Sequence, residues 1–167
     1  MGTNQSEPGS DLLARSIITT RHFDYPRELV FSAFTDPKHL EQWWGPDGFS
    51  TTTSEFEFKP GGRWRHVMHG PDGTDYPNRS VFKEIVPPER IVYLNGWDED
   101  NAEPMFEATI TFEELDGGTL LTLCSVFPTA AGRNEVAAKH GAVEGAQQHL
   151  QRLSDYLDEL ARRNSVS

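Results

Sequence analysis

The sequence predicts an α+β fold, a curved antiparallel sheet of about six to seven strands covered by one long C-terminal helix. Three observations carry this reading. Val143, Ala146, Leu150, Leu153, Leu157 and Leu160 recur at steps of three and four, which lays an apolar stripe along one side of a helix. Upstream segments alternate apolar and polar residues, as strands do when one face is buried and the other wet. Turn-forming clusters join those segments: Pro60-Gly61-Gly62, Gly70-Pro71-Asp72-Gly73 and Asp116-Gly117-Gly118. Consecutive strands therefore fold back as hairpins, and the closing helix, roughly 27 Å long, needs their apolar face to lie on.

The elements follow in order. Residues 1–11 are polar, with Pro8 and Gly9, and read as a disordered tail. Leu12 to Phe23, with Ile17, Ile18, Thr19 and Thr20, reads as the first strand. Pro26 opens a short helix over Arg27 to Phe34. Asp36 and Pro37 cap and open a second, which Gly45-Pro46 stops after Trp43 and Trp44. One of those rings belongs to the core and the other to the mouth of a pocket. Strands then follow over Thr51 to Phe58, Arg63 to His69, Tyr76 to Val86 and Arg90 to Trp97. The cleanest alternation is Phe106 to Glu113, and Thr119 to Phe127 is its hairpin partner. Helix resumes near Ala130, with Thr129 as cap and Gly141 as a kink. Gly141 and Gly145 imply either a close neighbour against the backbone or a helix that starts late. One domain over residues 12–163, with a short tail at 164–167, accounts for the 167 residues.

Composition excludes several functions. Asp and Glu number 26 against 15 Lys and Arg, a formal charge of −11, so neither nucleic acid nor an anionic membrane is an expected partner. Cys124 is the single cysteine, which rules out an intramolecular disulfide and suits a reducing cytoplasm. Within Leu120 to Phe127 it reads as a small buried hydrophobe. The start, MGTNQSEPGSDL, has no basic residue and no apolar run, unlike a signal peptide. No stretch approaches the ~20 apolar residues of a membrane span.

The segments RHFDYPRELVFSAFTDPKHLEQWWGP, KPGGRW, EIVPPERIVY and ITFEELDGGTLLTL, followed by the helix from Gly145 to Leu157, have a familiar order and spacing. They resemble the SRPBCC superfamily, with its START-like, birch-pollen-allergen-type helix-grip fold. The nearest branch is the activator of heat-shock protein 90 ATPase homologues (AHSA1-like), and the resemblance runs from about Leu13 to Leu160. It implies a pocket between the final helix and the sheet. Its members include carriers of hydrophobic ligands, polyketide cyclases and a co-chaperone domain, and it suggests a homodimer. Relatives often carry a bulky aromatic after the glycine matching Gly145. This chain has Ala146, which either gives the pocket more headroom or is compensated by repacking of Trp64, Phe82 or Phe106.

Inward polar residues of such a pocket matter most. His66 shares its strand face with Trp64 and Met68, and is read either as a satisfied core histidine or as a general base. Glu84 shares a side with Phe82 in a regular strand, so it is a pocket carboxylate if Phe82 is inward and a solvated charge if not. Tyr93, Asn95 and Trp97 share one face, as do Tyr76 and Asn78 on the neighbouring strand. The expected ligand-binding set is Trp44, Trp64, His66, Met68, Tyr76, Phe82, Tyr93, Asn95, Trp97, Phe106, Ala146 and Leu150, with His66 and Glu84 as the catalytic candidates. No metal site and no cofactor are expected. His66 and His69 point to opposite faces, His140 and Glu144 are only two ligands, and no glycine-rich phosphate loop occurs. The first functional expectation is non-catalytic binding of a small hydrophobic or aromatic molecule between helix and sheet. The alternatives are a cyclase or hydrolase acting on an aromatic or polyketide-like substrate through His66, and a co-chaperone-like interaction module.

Overall fold

A computed structural model describes residues 8–166. Residues 1–7 of the expected N-terminal tail, and Ser167, lie outside the described residues. Seven strands form one antiparallel sheet: β1 (Ser16–Phe23), β2 (Ser50–Phe56), β3 (Arg63–His69), β4 (Asp75–Val86), β5 (Arg90–Trp97), β6 (Phe106–Leu115) and β7 (Gly118–Val126). Their order is β1-β7-β6-β5-β4-β3-β2. The hairpin turns read from the sequence account for β2 to β7 as a meander. The exception is β1, which pairs with β7 rather than with β2. Two short helices, α2 (Arg27–Ser32) and α3 (Pro37–Trp43), carry the chain from one edge of the sheet to the other.

The first strand is shorter than the sequence suggested. Leu12 and Leu13 lie in a helix, α1 (Pro8–Ala14), and both are exposed. Neither is β-branched, and an Asp11–Arg15 ion pair at i, i+4 favours helix there. The β-branched run starts at Ile17, and the strand starts one residue before it, at Ser16. Asp36 caps α3 by accepting from the Lys38 backbone N–H, with Pro37 in the first turn.

The final helical region is two helices. α4 (Ala130–His140) ends at Gly141, and α5 begins at Ala142 and runs to Val166, through residues expected to be tail. Gly141 has φ +58, the left-handed conformation that glycine adopts without a Cβ clash. So the glycine breaks the helix where a kink was expected. No close neighbour explains it either, because a Cβ built at Gly141 would meet nothing within 4 Å.

Inward positions pair across the sheet in continuous rows. One runs Ile17, Ser125, Ala108, Tyr93, and another Thr19, Leu123, Ile110, Ile91. A bulge between Phe82 and Glu84 interrupts the period of two in β4. It turns Phe82 into the core and leaves Glu84 partly exposed, ion-paired with Arg90. The sequence argument that both must share a face assumed a regular strand. Cys124 is only partly buried and pairs with Ile18 and Thr109, one position off the inward rows, which corrects its reading as a core residue. Trp43 is fully buried, and its indole N–H donates to the Ala33 carbonyl at 3.2 Å. Trp44 is the half-buried ring of the pair.

Candidate functional site

Between the first two turns of α5 and the sheet lies a cavity of about 260 Å³ that opens to solvent. Its floor is the inner face of the sheet: Ile17 and Thr19 of β1, Leu123 and Ser125 of β7, Phe106 of β6 and Tyr93 of β5. Its roof is Ala142, Gly145, Ala146 and His149, residues one helical turn apart on the face that α5 turns inward. Trp44, Gly45, Pro46 and Met68 form one wall, Phe127 and Val136 the other. The roof is high because its side chains are short.

His149 is the polar feature of the roof. Its Nδ1 accepts a hydrogen bond from the Gly45 backbone N–H at 2.9 Å. The ring packs against Trp43 and Trp44, with centroids at 4.9 and 4.4 Å. Burial lowers its pKa to about 3, and the Arg152 guanidinium pushes in the same direction. His149 is therefore a neutral imidazole. One turn on, Arg152 Nη1 donates to the carbonyls of Trp44, Gly45 and Pro46 at 3.2, 3.0 and 3.0 Å. The Gln148 side-chain oxygen accepts from the Asp47 N–H at 3.1 Å. Three residues of α5 thus hold the backbone of the loop that walls the cavity.

Five of the twelve expected ligand-binding residues line this cavity: Trp44, Met68, Tyr93, Phe106 and Ala146. His66 does not. It is 2% exposed, stacked on Trp64 at 3.8 Å with Trp44 edge-on at 6.3 Å. Desolvation lowers its pKa to about 4, and its Nδ1 is buried without a partner. Trp64 and Phe82 close around a gap of about 10 Å³, at the lower limit for one water. Leu150 packs in the core. The Asn95 side-chain amide donates to Ser80 Oγ at 3.0 Å. Tyr76 and Trp97 stack at 6.4 Å, outside the cavity lining. Glu84 is removed from the site by the bulge.

Seven of the twelve fall outside this lining for one reason: a shared strand face says nothing about which stretch of that face the helix covers. Apart from Met68, the expected residues on β3 and β4 lie under Trp44 or beyond the cavity. His149 and the loop clamp went unnoticed because they flank the leucine stripe, where polar residues read as a wet helix face. The available signal was a histidine beside Leu150, one turn from Ala146.

One surface cluster has the atoms of a hydroxyl-activating relay. Asp75 Oδ1 contacts His69 Nδ1 at 2.8 Å, and His69 Nε2 contacts Thr52 Oγ1 at 2.9 Å. These groups are solvent-exposed and line none of the described cavities. Among the described residues, no three His, Cys, Asp or Glu side chains are grouped to hold a metal ion. No described helix is long and apolar enough to cross a membrane.

The family model "Activator of Hsp90 ATPase homolog 1-like protein" matches residues 24–158, most of the chain. The chain belongs to this family. Solved structures agree in fold. A protein from Mycobacterium smegmatis is 28% identical with a TM-score of 0.80, over 90% of this chain and 95% of that one. One from Nitrosomonas europaea is 25% identical with a TM-score of 0.79, over 89% and 97%. The AHSA1 protein of Silicibacter pomeroyi is 26% identical with a TM-score of 0.67, over 89% and 99%. This AHSA1-like chain has the family's helix-grip architecture. No curated protein matches the sequence.

Proposed function

We propose that this AHSA1-like protein binds a small hydrophobic or aromatic molecule, without chemical conversion, in the cavity beneath α5. The observation that carries the reading is the cavity itself: about 260 Å³ with mostly apolar walls and a few inward polar groups. A site of about 150 Å³ takes benzene, so this one suits one or two fused rings. The wall is held in place before any ligand arrives, by His149, Arg152 and Gln148. Such preorganisation lowers the entropic cost of binding. The enzymatic alternative relied on His66, which is neutral and shut off from the cavity by its aromatic neighbours.

Ala146→Trp tests the siting, because an indole at that position fills the headroom. One- and two-ring aromatics screened by thermal shift should find a saturable site in the wild type and none in the variant. The variant's own melting curve should stay cooperative. Undiminished binding by Ala146→Trp would place the ligand elsewhere.

A further inference from the structure

We infer that the ligand is a neutral ring compound bearing a hydrogen-bond acceptor, such as a ketone or ester carbonyl, received by His149 Nε2–H and the Tyr93 hydroxyl. This inference rests on the cavity being a ligand site, and it names the ligand's chemistry.

The argument begins with a tautomer. The Gly45 N–H points at His149 Nδ1 at 2.9 Å, so that nitrogen is the acceptor. In a neutral imidazole the proton then sits on Nε2, which can only donate. Among the described residues, Nε2 has no partner, nor has the Tyr93 hydroxyl. A sealed, unpartnered polar atom is a different case, and two exist in the described residues: Arg27 Nε and His66 Nδ1. His149 Nε2 and the Tyr93 hydroxyl are not among them, although both side chains are buried. Both residues line this cavity, the space from which a ligand reaches them. His66 makes the contrast: it lines no described cavity, and its Nδ1 is sealed without a partner.

The donor is rigid as well as open. Trp43 and Trp44 hold the imidazole by its rings, and the Arg152 clamp fixes the loop that supplies the Gly45 N–H. A donor with no alternative tautomer discriminates in favour of acceptors. Charge sets the second limit. The described residues of the lining include no Lys, Arg, Asp or Glu, so an ionised ligand would give up hydration without gaining a counter-ion. Thr19 and Ser125 add hydroxyls on the floor that can serve a second polar substituent.

The test compares 1-tetralone, tetralin and 1-naphthoate by calorimetry on the full chain, which share a two-ring frame and differ in polar group. Wild type should prefer 1-tetralone to tetralin, with 1-naphthoate the weakest. His149→Asn keeps an acceptor for the Gly45 N–H, through its side-chain oxygen, but removes the Nε2–H donor. It should weaken 1-tetralone by roughly tenfold, the scale of one buried hydrogen bond, and tetralin by less than about twofold. Tyr93→Phe should show the same selective loss at smaller size, and it carries the test if His149→Asn does not fold. Equal losses for both neutral ligands would overturn the inference, since His149 would then only shape the site. Tighter binding of 1-naphthoate would overturn the neutral class. Binding by neither neutral ring overturns the ligand-site reading, and the inference falls with it.

Discussion

The two halves of α5 lie on the same sheet and do opposite things. From Leu150 onward, Leu153 and Leu157 are fully buried and Tyr156 nearly so. The gap at the boundary, between Leu150, His149 and the sheet residues Ile110, Leu121 and Leu123, has no room for water. From Ala142 to His149 the same helix roofs about 260 Å³ of open volume. Leucines fill the C-terminal half, and alanine and glycine leave the N-terminal half empty. A single helix thus packs the core with one half and roofs the cavity with the other, and substitutions in the two halves should have separable effects.

The largest effect belongs to the anchoring half. Leu153→Ala removes a fully buried side chain from a packed region and should cost about 2–5 kcal/mol, read as a lower urea midpoint at unchanged slope. Ala146→Leu adds bulk where there is space to take it and should change stability by less than about 1 kcal/mol. If the two substitutions cost the same, the halves are not energetically distinct.

Acid probes the boundary between them. His66 and His149 are held neutral in the folded protein, with pKa values of about 4 and about 3. An unfolded histidine titrates near pH 6.5. Because both folded values lie below the unfolded one, the unfolded chain takes up protons first as pH falls. Their stabilising contribution is complete above about pH 6.5 and drains away as pH drops toward the folded values. Between pH 7.5 and 5.5 the two together should remove on the order of 2 kcal/mol from the unfolding free energy. His66→Phe retains the stacked packing and should abolish about half of that slope. A slope identical to wild type would mean that His66 is not held neutral by burial.

Much of this architecture was readable because it depends on local patterns. Alternation gave β3, β5 and β6 nearly to the residue, and the stripe from Val143 gave α5. Regular patterns are blind to irregularities, and the bulge at Phe82–Glu84 reversed an argument that depended on strict alternation. The cavity itself was legible only in outline. Ala146 pointed to the half of the helix that roofs the cavity, but the lining drawn around it took in whole strand faces. Which part of a face remains open depends on where Trp44 and the loop after it come to rest. That position is fixed by Arg152 and His149 bonding to backbone groups some hundred residues away in sequence. Backbone donors and acceptors carry no residue-type signal, so no motif announces such a clamp.

The smallest effect is the sharpest test of how the helix was divided. Gly141 and Gly145 look alike in sequence, four residues apart before and within the same helix. Their physical situations differ. Gly141 has φ +58 at the break between α4 and α5, and an L-residue there is strained even though a Cβ would touch nothing. Gly145 is helical, and a Cβ there would meet only Pro46 Cβ, at an ordinary 3.8 Å. Gly141→Ala should therefore destabilise by about 1 kcal/mol, through the backbone alone. Gly145→Ala should stabilise by up to about 1 kcal/mol, through helix propensity, while narrowing the cavity roof slightly. Opposite signs from two superficially equivalent glycines, measured in one set of thermal melts, would confirm that a left-handed residue starts α5. A stabilising Gly141→Ala would instead mean that α4 and α5 are one continuous helix, and the roof would have to be redrawn.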